Sequence, residues 1–465
     1  MTTRAHRRGR ADLASLGWAR AVALTCVLAA AGGAGPALAQ QVGRIQYESY
    51  ALPNGLRVVL SEDHSTPIVT VDVWYHVGSA DERLRRSGFA HLFEHMMFQG
   101  SAHVRKAEHF QLVERAGGEV NGSTNEDRTN YFETLPSNRL NLGLWLEADR
   151  MRSLSITQEN FEIQRSTVKE ERRLGVDNQP YARAVLEGMT QPFDSAGCLA
   201  YAHTVIGSMA DLDSARVEDV QAFFHQYYAP NNAVLTVSGD FVPAVARRLI
   251  QQYFGDIPRT DTPAPVRCDV AFSRGARTIA TVDSNANLPA VALVFAVPDR
   301  DHADAPAIEL LASILTDGES SRLNRKLVRE ERVAVGAAGF NNLHTTAGVA
   351  LFYAIANQGV EPSRLEQLLS AEIERVVSDT VPQAELTKAQ NQFRAGAVRT
   401  RQTTLGVAEA LQEALRFHGD LEVANTEVQR YLSVTTADLR RVAQRYFVPA
   451  NRLTIVVNTP SGGGN

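Results

Sequence analysis

The sequence predicts an α+β chain, with two copies of one α/β sandwich domain in tandem, and three observations carry that prediction. Tyr227-Tyr228-Ala229-Pro230-Asn231-Asn232-Ala233-Val234-Leu235-Thr236-Val237 recurs 219 residues later as Tyr446-Phe447-Val448-Pro449-Ala450-Asn451-Arg452-Leu453-Thr454-Ile455-Val456. Each copy follows an amphipathic helical pattern, Val217 to Gln226 and Thr436 to Gln444, and runs into a β-branched strand. The chain of 465 residues, 44% hydrophobic, is also long enough for two domains with full-sized cores.

In chain order, Arg4, Arg7, Arg8, Arg10 and Arg20 precede an apolar run from Ala21 to Ala31, and Ala37-Leu38-Ala39 follows. A basic segment, a short apolar run and a small-x-small site predict a signal peptide over 1–39, and hence a periplasmic or secreted protein. The run is shorter than the roughly 20 residues a membrane span needs, and no later stretch is long and apolar enough, so no membrane partner is expected. Cleavage after Ala39 removes five of the 47 Lys and Arg and one of the 52 Asp and Glu, leaving a net charge of −9. That acidic balance argues against a nucleic-acid partner. Cys198 and Cys268 remain, too few for a disulfide scaffold or a cysteine zinc site, and the sequence leaves open whether they pair.

The first copy occupies 40–257. Tyr47 to Leu52, Leu56 to Ser61 and Ile68 to His76 read as strands, with Pro53-Asn54-Gly55 turning between the first two. Ser87 is placed to cap a following helix and Gly100 to end it. Val120 to Leu135 reads as a loop through Asn121-Gly122-Ser123-Thr124 and then a strand. Leu140 to Met151 and Thr157 to Leu174 read as helices. Pro258, Pro263 and Pro265 mark a linker over 258–276. The second copy, 277–465, repeats a strand (Ala290 to Val297) and an apolar helix (Ala307 to Gly318).

Residues 91–95, His-Leu-Phe-Glu-His, carry the chemistry. On a helix, positions four apart lie one turn apart on one face, so His91 and His95 converge, with Glu94 on the same side. Phe89, Ala90, Leu92, Phe93, Met96, Met97 and Phe98 surround them with apolar groups. Burying two imidazoles and a carboxylate unpaired would cost about 2–7 kcal/mol for even one neutral group. A metal satisfies them; a pair of hydrogen-bonded core histidines is the alternative. The second copy aligns Glu309, Ala312 and Ser313 with these three residues, so only the first copy retains the constellation.

Gly78-Ser79-Ala80-Asp81-Glu82, Gly88-Phe89-Ala90-His91-Leu92-Phe93-Glu94-His95-Met96 and Phe98-Gln99-Gly100-Ser101 resemble the pitrilysin/insulinase family of inverted-motif zinc peptidases. Leu146-Glu147-Ala148-Asp149-Arg150-Met151, Val205-Ile206-Gly207 and Tyr228-Ala229-Pro230-Asn231-Asn232 continue the likeness over the mature chain, which is most similar to the processing-peptidase-like branch. The resemblance implies one half of a clamshell peptidase that binds one zinc ion per chain. It implies Glu171 as third ligand, six residues after Arg165 and 76 after His95. Glu170 is the neighbouring competitor but points about 100° away on a helix; without the family, Glu170-Glu171-Arg172-Arg173 reads as a solvated charged face. Gln164 stands where some relatives have a supporting glutamate, and would give neutral support from the second shell.

The implied reaction is endopeptidase hydrolysis of extended or unfolded peptides by a metal-activated water, with Glu94 as general base and then acid. Asn121, Gly122 and Ser123 are implied in substrate binding, with the strand after them offering its edge to an added peptide strand. Relatives that act alone also carry an arginine and, seven residues on, a tyrosine that hold the substrate backbone. Here those positions correspond to Val328 and Val335. A heterodimer with a homologous zinc-less subunit is therefore expected, ahead of a homodimer. A non-catalytic peptide-binding or scaffold subunit is the alternative. His103, His109, His203, His225, His302 and His344 lack matched spacing and read as surface or core histidines.

Overall fold

Both copies fold into the same strand pattern in the computed structural model, which describes residues 43–193, 197–261, 263–268, 270 and 275–460. The signal peptide expected over 1–39 lies outside the described residues. In the first copy, β1 (Glu48–Ala51), β2 (Arg57–Glu62), β3 (Ile68–Tyr75), β4 (Glu119–Thr124), β5 (Thr129–Pro136) and β6 (Ala233–Gly239) form a sheet ordered β1-β2-β6-β3-β5-β4. In the second, β7 (Arg277–Val282), β8 (Ala290–Val297), β9 (Ala334–Leu343), β10 (Gly348–Ala356) and β11 (Arg452–Asn458) are ordered β7-β11-β8-β10-β9. Setting β1 aside, the two orders coincide, each with one parallel pair, β2 with β6 and β7 with β11.

The repeated motif explains itself locally. Pro230–Asn232 and Pro449–Asn451 each form a single 3-10 turn, with Pro supplying the fixed φ at its start. Asn232 Nδ2 donates to the Tyr227 carbonyl at 2.9 Å, and Asn451 Nδ2 to that of Tyr446 at 2.7 Å. The asparagine thus satisfies a carbonyl left over at the end of the preceding helix and aims the chain into the central strand.

The segment at the start of the hairpin differs from its sequence reading. Asn121-Gly122-Ser123-Thr124 is not a loop; it belongs to β4, which pairs antiparallel with β5 from Glu119↔Thr134 to Thr124↔Thr129. The strand that follows, β5, lies between β3 and β4 and has no free edge; β4 is the edge. Asn and Gly are turn formers by local preference, and here strand pairing overrides that preference.

Each sheet is also covered by a helix from the opposite copy. The helix Thr404–His418 lies on the first sheet, where Gln412 Nε2 donates to the Asp72 carbonyl at 3.3 Å and to that of Val234 at 3.0 Å. Leu411, Ala414 and Leu415 bury against Ile45, Val59 and Val234. In return the helix Ala182–Thr190 packs Val185 and Met189 near Leu453 and Ile455 of the second sheet. Cys198 and Cys268, left open by the sequence, form a disulfide with a Cα–Cα distance of 4.7 Å. It ties the turn Leu199–Tyr201 to the segment between the copies. Among the described residues no helix is long and apolar enough to cross a membrane.

Candidate metal centre

The helix Phe89–Met96 buries Phe89, Ala90, Leu92, Phe93 and Met96 in the core, with the Phe93 ring tilted against Tyr228 of the repeated motif at 4.1 Å between ring centroids. His91, Glu94 and His95 are the remaining positions, and none of the three is fully buried. Helical spacing thus turns the three polar groups to one side of the helix, where His91 and Glu94 border a cavity.

Glu171 comes to them from the helix Gln158–Arg172. One carboxylate oxygen lies 3.8 Å from His91 Nε2 and the other 3.4 Å from His95 Nε2. All three residues place a donor atom within 4.8 Å of the others. A tetrahedral zinc with bonds of about 2.0–2.1 Å sets its ligands roughly 3.4 Å apart, so the residues present fit the ion. Burial, and then the neighbouring His95, hold His91 down at about 4, so its imidazole is neutral and able to donate a lone pair near pH 7. Glu170 instead pairs with Arg173 at 3.0 Å.

Glu94 Oε2 accepts a hydrogen bond from Thr124 Oγ1 at 2.6 Å, which links the motif helix to β4. Burial pushes the Glu94 carboxyl above its ordinary range and Glu171 adds to this, while Thr124 and His95 oppose it. A carboxyl raised towards neutrality is suited to taking and returning a proton. Asn121, Gly122 and Ser123 lie on the same edge strand, and the Gly122 N–H is held by the Asn121 Oδ1 at 2.9 Å. Gln164 is buried on the same helix two turns before Glu171, and no hydrogen bond joins it to His91, His95 or Glu171.

The cavity, about 430 Å³, is bordered by His91, Glu94, Glu171 and β4. Leu186, Met189, Phe193, Val205 and Ile206 make its walls apolar. Asn342 and His344, from the second copy, also line it, and Asn342 Nδ2 donates to Glu126 Oε1 at 3.2 Å. His344 stacks on Tyr201 at 4.2 Å. With His203, it belongs to the cavity rather than to an anonymous surface or core. Sequence spacing gave no sign of this, because their partners lie far away in the chain.

His109, Glu133 and Glu147 form a second cluster of donor type. There Arg150 already supplies the cation, with Nε on Glu147 Oε2 at 3.0 Å, while His109 Nε2 meets Glu133 Oε1 at 2.8 Å. This is a buried ion network, not a second metal centre. Of the positions aligned with the substrate-holding pair, Val335 is exposed on β9, Val328 packs against the core, and neither side chain has a donor. Arg329 is engaged by Glu319.

Comparison with known proteins agrees with this geometry. Residues 57–192 match the family described as insulinase (peptidase family M16), and residues 214–393 match the peptidase M16 inactive domain. The zinc protease PqqE of Helicobacter pylori is 31% identical over 414 residues, covering 88% of this chain and 92% of that protein. The crystal structure of a protease from Helicobacter pylori superposes with a TM-score of 0.84 at 30% identity, over 90% of this chain and all of the other. The periplasmic protease PqqL from Escherichia coli shares the fold, with a TM-score of 0.72 at 17% identity; there this chain covers 48% of the partner structure's length. The chain belongs to the pitrilysin/insulinase peptidases, family M16, as one half-clamshell of two M16 domains in tandem.

Proposed function

We propose that this chain is a zinc-dependent endopeptidase acting on extended or unfolded peptides. The observation that carries this reading is the convergence of His91, His95 and Glu171 beside Glu94, on a cavity bordered by an open sheet edge. His91, His95 and Glu171 hold the zinc ion. When bound, zinc supplies Lewis acidity, acidifying a water and polarising the scissile carbonyl. Glu94, steadied by Thr124, takes the proton of the attacking water and delivers it to the leaving amine. A peptide adds as a strand to β4, reading backbone along Asn121, Gly122 and Ser123. The Asn121 side chain must release the Gly122 N–H to admit it.

The chain acts in the periplasm or outside the cell, paired with a homologous subunit that lacks zinc and supplies the donors absent at Val328 and Val335. The test is cleavage of an unfolded quenched-fluorescence peptide by the zinc-loaded chain starting at Gln40, alone and mixed with such a subunit from the same genome, with and without chelator. Chelator-sensitive cleavage by the mixture is expected. Cleavage by neither preparation would refute the enzyme reading. Equal cleavage by the chain alone would refute the need for a heterologous partner.

A further inference from the structure

The motif helix begins without a cap of its own. Its N-cap is Gly88, at φ 89°, with no side-chain hydrogen bond, and the expected cap Ser87 gives its Oγ to Asp211 instead. The first N–H groups of a helix still need acceptors. They find them six residues upstream: Gly88 N donates to Glu82 Oε2 at 2.9 Å and Ala90 N to Glu82 Oε1 at 2.7 Å. The Glu82 side chain has no exposed surface, so water cannot take its place. His91 is the next residue in the chain after Ala90.

Glu82 is itself anchored on the far side. It closes the turn Ser79–Asp81, where Ser79 N donates to the Asn125 carbonyl at 3.2 Å and Ala80 N to that of Glu126 at 2.8 Å. Those carbonyls belong to the hairpin that ends β4. A second brace meets the helix from another direction. A Cβ at Gly207 would come within 2.4 Å of Gly88 N and Cα, so only hydrogen fits there. Arg172, the neighbour of Glu171, donates to the Gly207 carbonyl. Both metal-bearing helices are therefore referenced to fixed points outside themselves.

We infer that Glu82 is a positioning residue of the metal centre: its carboxylate caps the motif helix and holds His91 in register with β4. The inference rests on the proposed zinc site and deepens it. An acceptor on each oxygen is what the geometry demands. Gln must turn its NH2 against one of two backbone donors, Asp reaches short by a methylene, and Ala leaves both donors buried and unpaired.

The test uses the full mature chain carrying Glu82→Gln, Glu82→Asp or Gly207→Ala, with Glu372→Gln as a buried-acid control in the second copy. Zinc affinity is measured by chelator competition. The visible d–d bands of the cobalt(II)-loaded chain report ligand geometry, which a loss of stability alone does not change. We expect zinc affinity weakened about 10- to 100-fold in Glu82→Gln, as for other groups that orient ligands. The cobalt bands should shift, Glu82→Asp should be intermediate, and Glu372→Gln should match the parent. If Glu82→Gln fails to fold, Gly207→Ala tests the same register from the opposite side, with the same loss expected. A folded Glu82→Gln chain with parental zinc affinity and cobalt bands would overturn the inference. A parent that binds zinc but cleaves no peptide, alone or mixed with the homologous zinc-less subunit, would refute the enzyme reading and leave the affinity comparison decisive for Glu82. A parent that binds no zinc would overturn both.

Discussion

The helix Phe89–Met96 in the first copy and the helix Ala305–Thr316 in the second occupy the same place in the same topology and each borders a cavity, yet among the described residues only the first brings two histidines and a glutamate together there. Glu309 stands where the first copy has His91. Its carboxylate accepts a hydrogen bond from Tyr431, whose ring stacks on Phe393 at 3.5 Å between centroids. Where the first copy leaves donors for an ion, the second answers its carboxyl with a hydroxyl, and the cavity beside it, about 530 Å³, is lined by Phe393 and Tyr431 rather than by histidines. Duplicated architecture therefore fixes where a site can be, and a few side chains decide whether it can hold an ion.

The sharpest way to probe that difference is paired substitution. Glu94→Gln should lower turnover by about 10²–10⁴-fold while leaving zinc affinity near that of the parent. Glu309→Gln should leave turnover unchanged; both are read by peptide cleavage and chelator competition. Similar losses from both changes would break the comparison.

The next contrast concerns stability. The helix after the hairpin in each copy carries a Glu–Arg pair three residues apart, Glu147 with Arg150 and Glu372 with Arg375. The Arg150 side chain is 2% exposed and the Arg375 side chain 54%. Arg150→Ala, which leaves two buried carboxyls without their cation, should cost about 3–5 kcal/mol in denaturant unfolding. Arg375→Ala should cost less than about 1 kcal/mol.

A smaller effect separates the copies by pH. Burial, and then Glu413 and Glu309, push Glu427 in the second copy up to about 7. Its folded value exceeds the unfolded one, so it favours folding below the ordinary glutamate range and loses that contribution as pH rises through about 7. Glu427→Gln should therefore raise the thermal midpoint at pH 8 more than at pH 4.5. His91 has the opposite sign. Held down at about 4, it costs stability as pH falls from the unfolded histidine value towards 4, and His91→Phe should relieve that cost in the metal-free chain. Thermal melts across this range check both. Finally, E309H/A312E/S313H should add no zinc equivalent, because the facing helix Gln383–Thr400 presents Ala389, Gln392, Phe393, Ala395 and Arg399 to that cavity and no carboxylate. Two zinc ions per chain by metal analysis would show the second copy to be less committed than its packing indicates.

The motif helix, its two histidines and the repeat were legible because each is a local pattern of fixed spacing. Glu171 needed the family likeness, since a Glu-Glu-Arg-Arg run on a helix has the look of any solvated face. Asn121 to Thr124 misled for the opposite reason: local turn preference there yields to pairing with β5. Glu82 was quoted in the sequence without a role, because a cap six residues upstream follows no spacing rule for helix starts. Asn342 and His344 were out of reach altogether. They enter the cavity through packing between copies, which no local window contains.

The exchanged cover helix has one more consequence, concerning the order in which synthesis delivers the chain. The first copy is made first, but Thr404–His418, which roofs its sheet, comes last but for the final strand and two helices. Until then Ile45, Val59 and Val234 have no partner on that face, and a nascent first domain is an open-faced intermediate prone to sticking. Severing the chain near residue 260, with the Cys198–Cys268 disulfide that bridges the cut reduced, would therefore not release two independent proteins. It would release two incomplete ones, each missing a piece the other carries, and they should regain structure only when mixed.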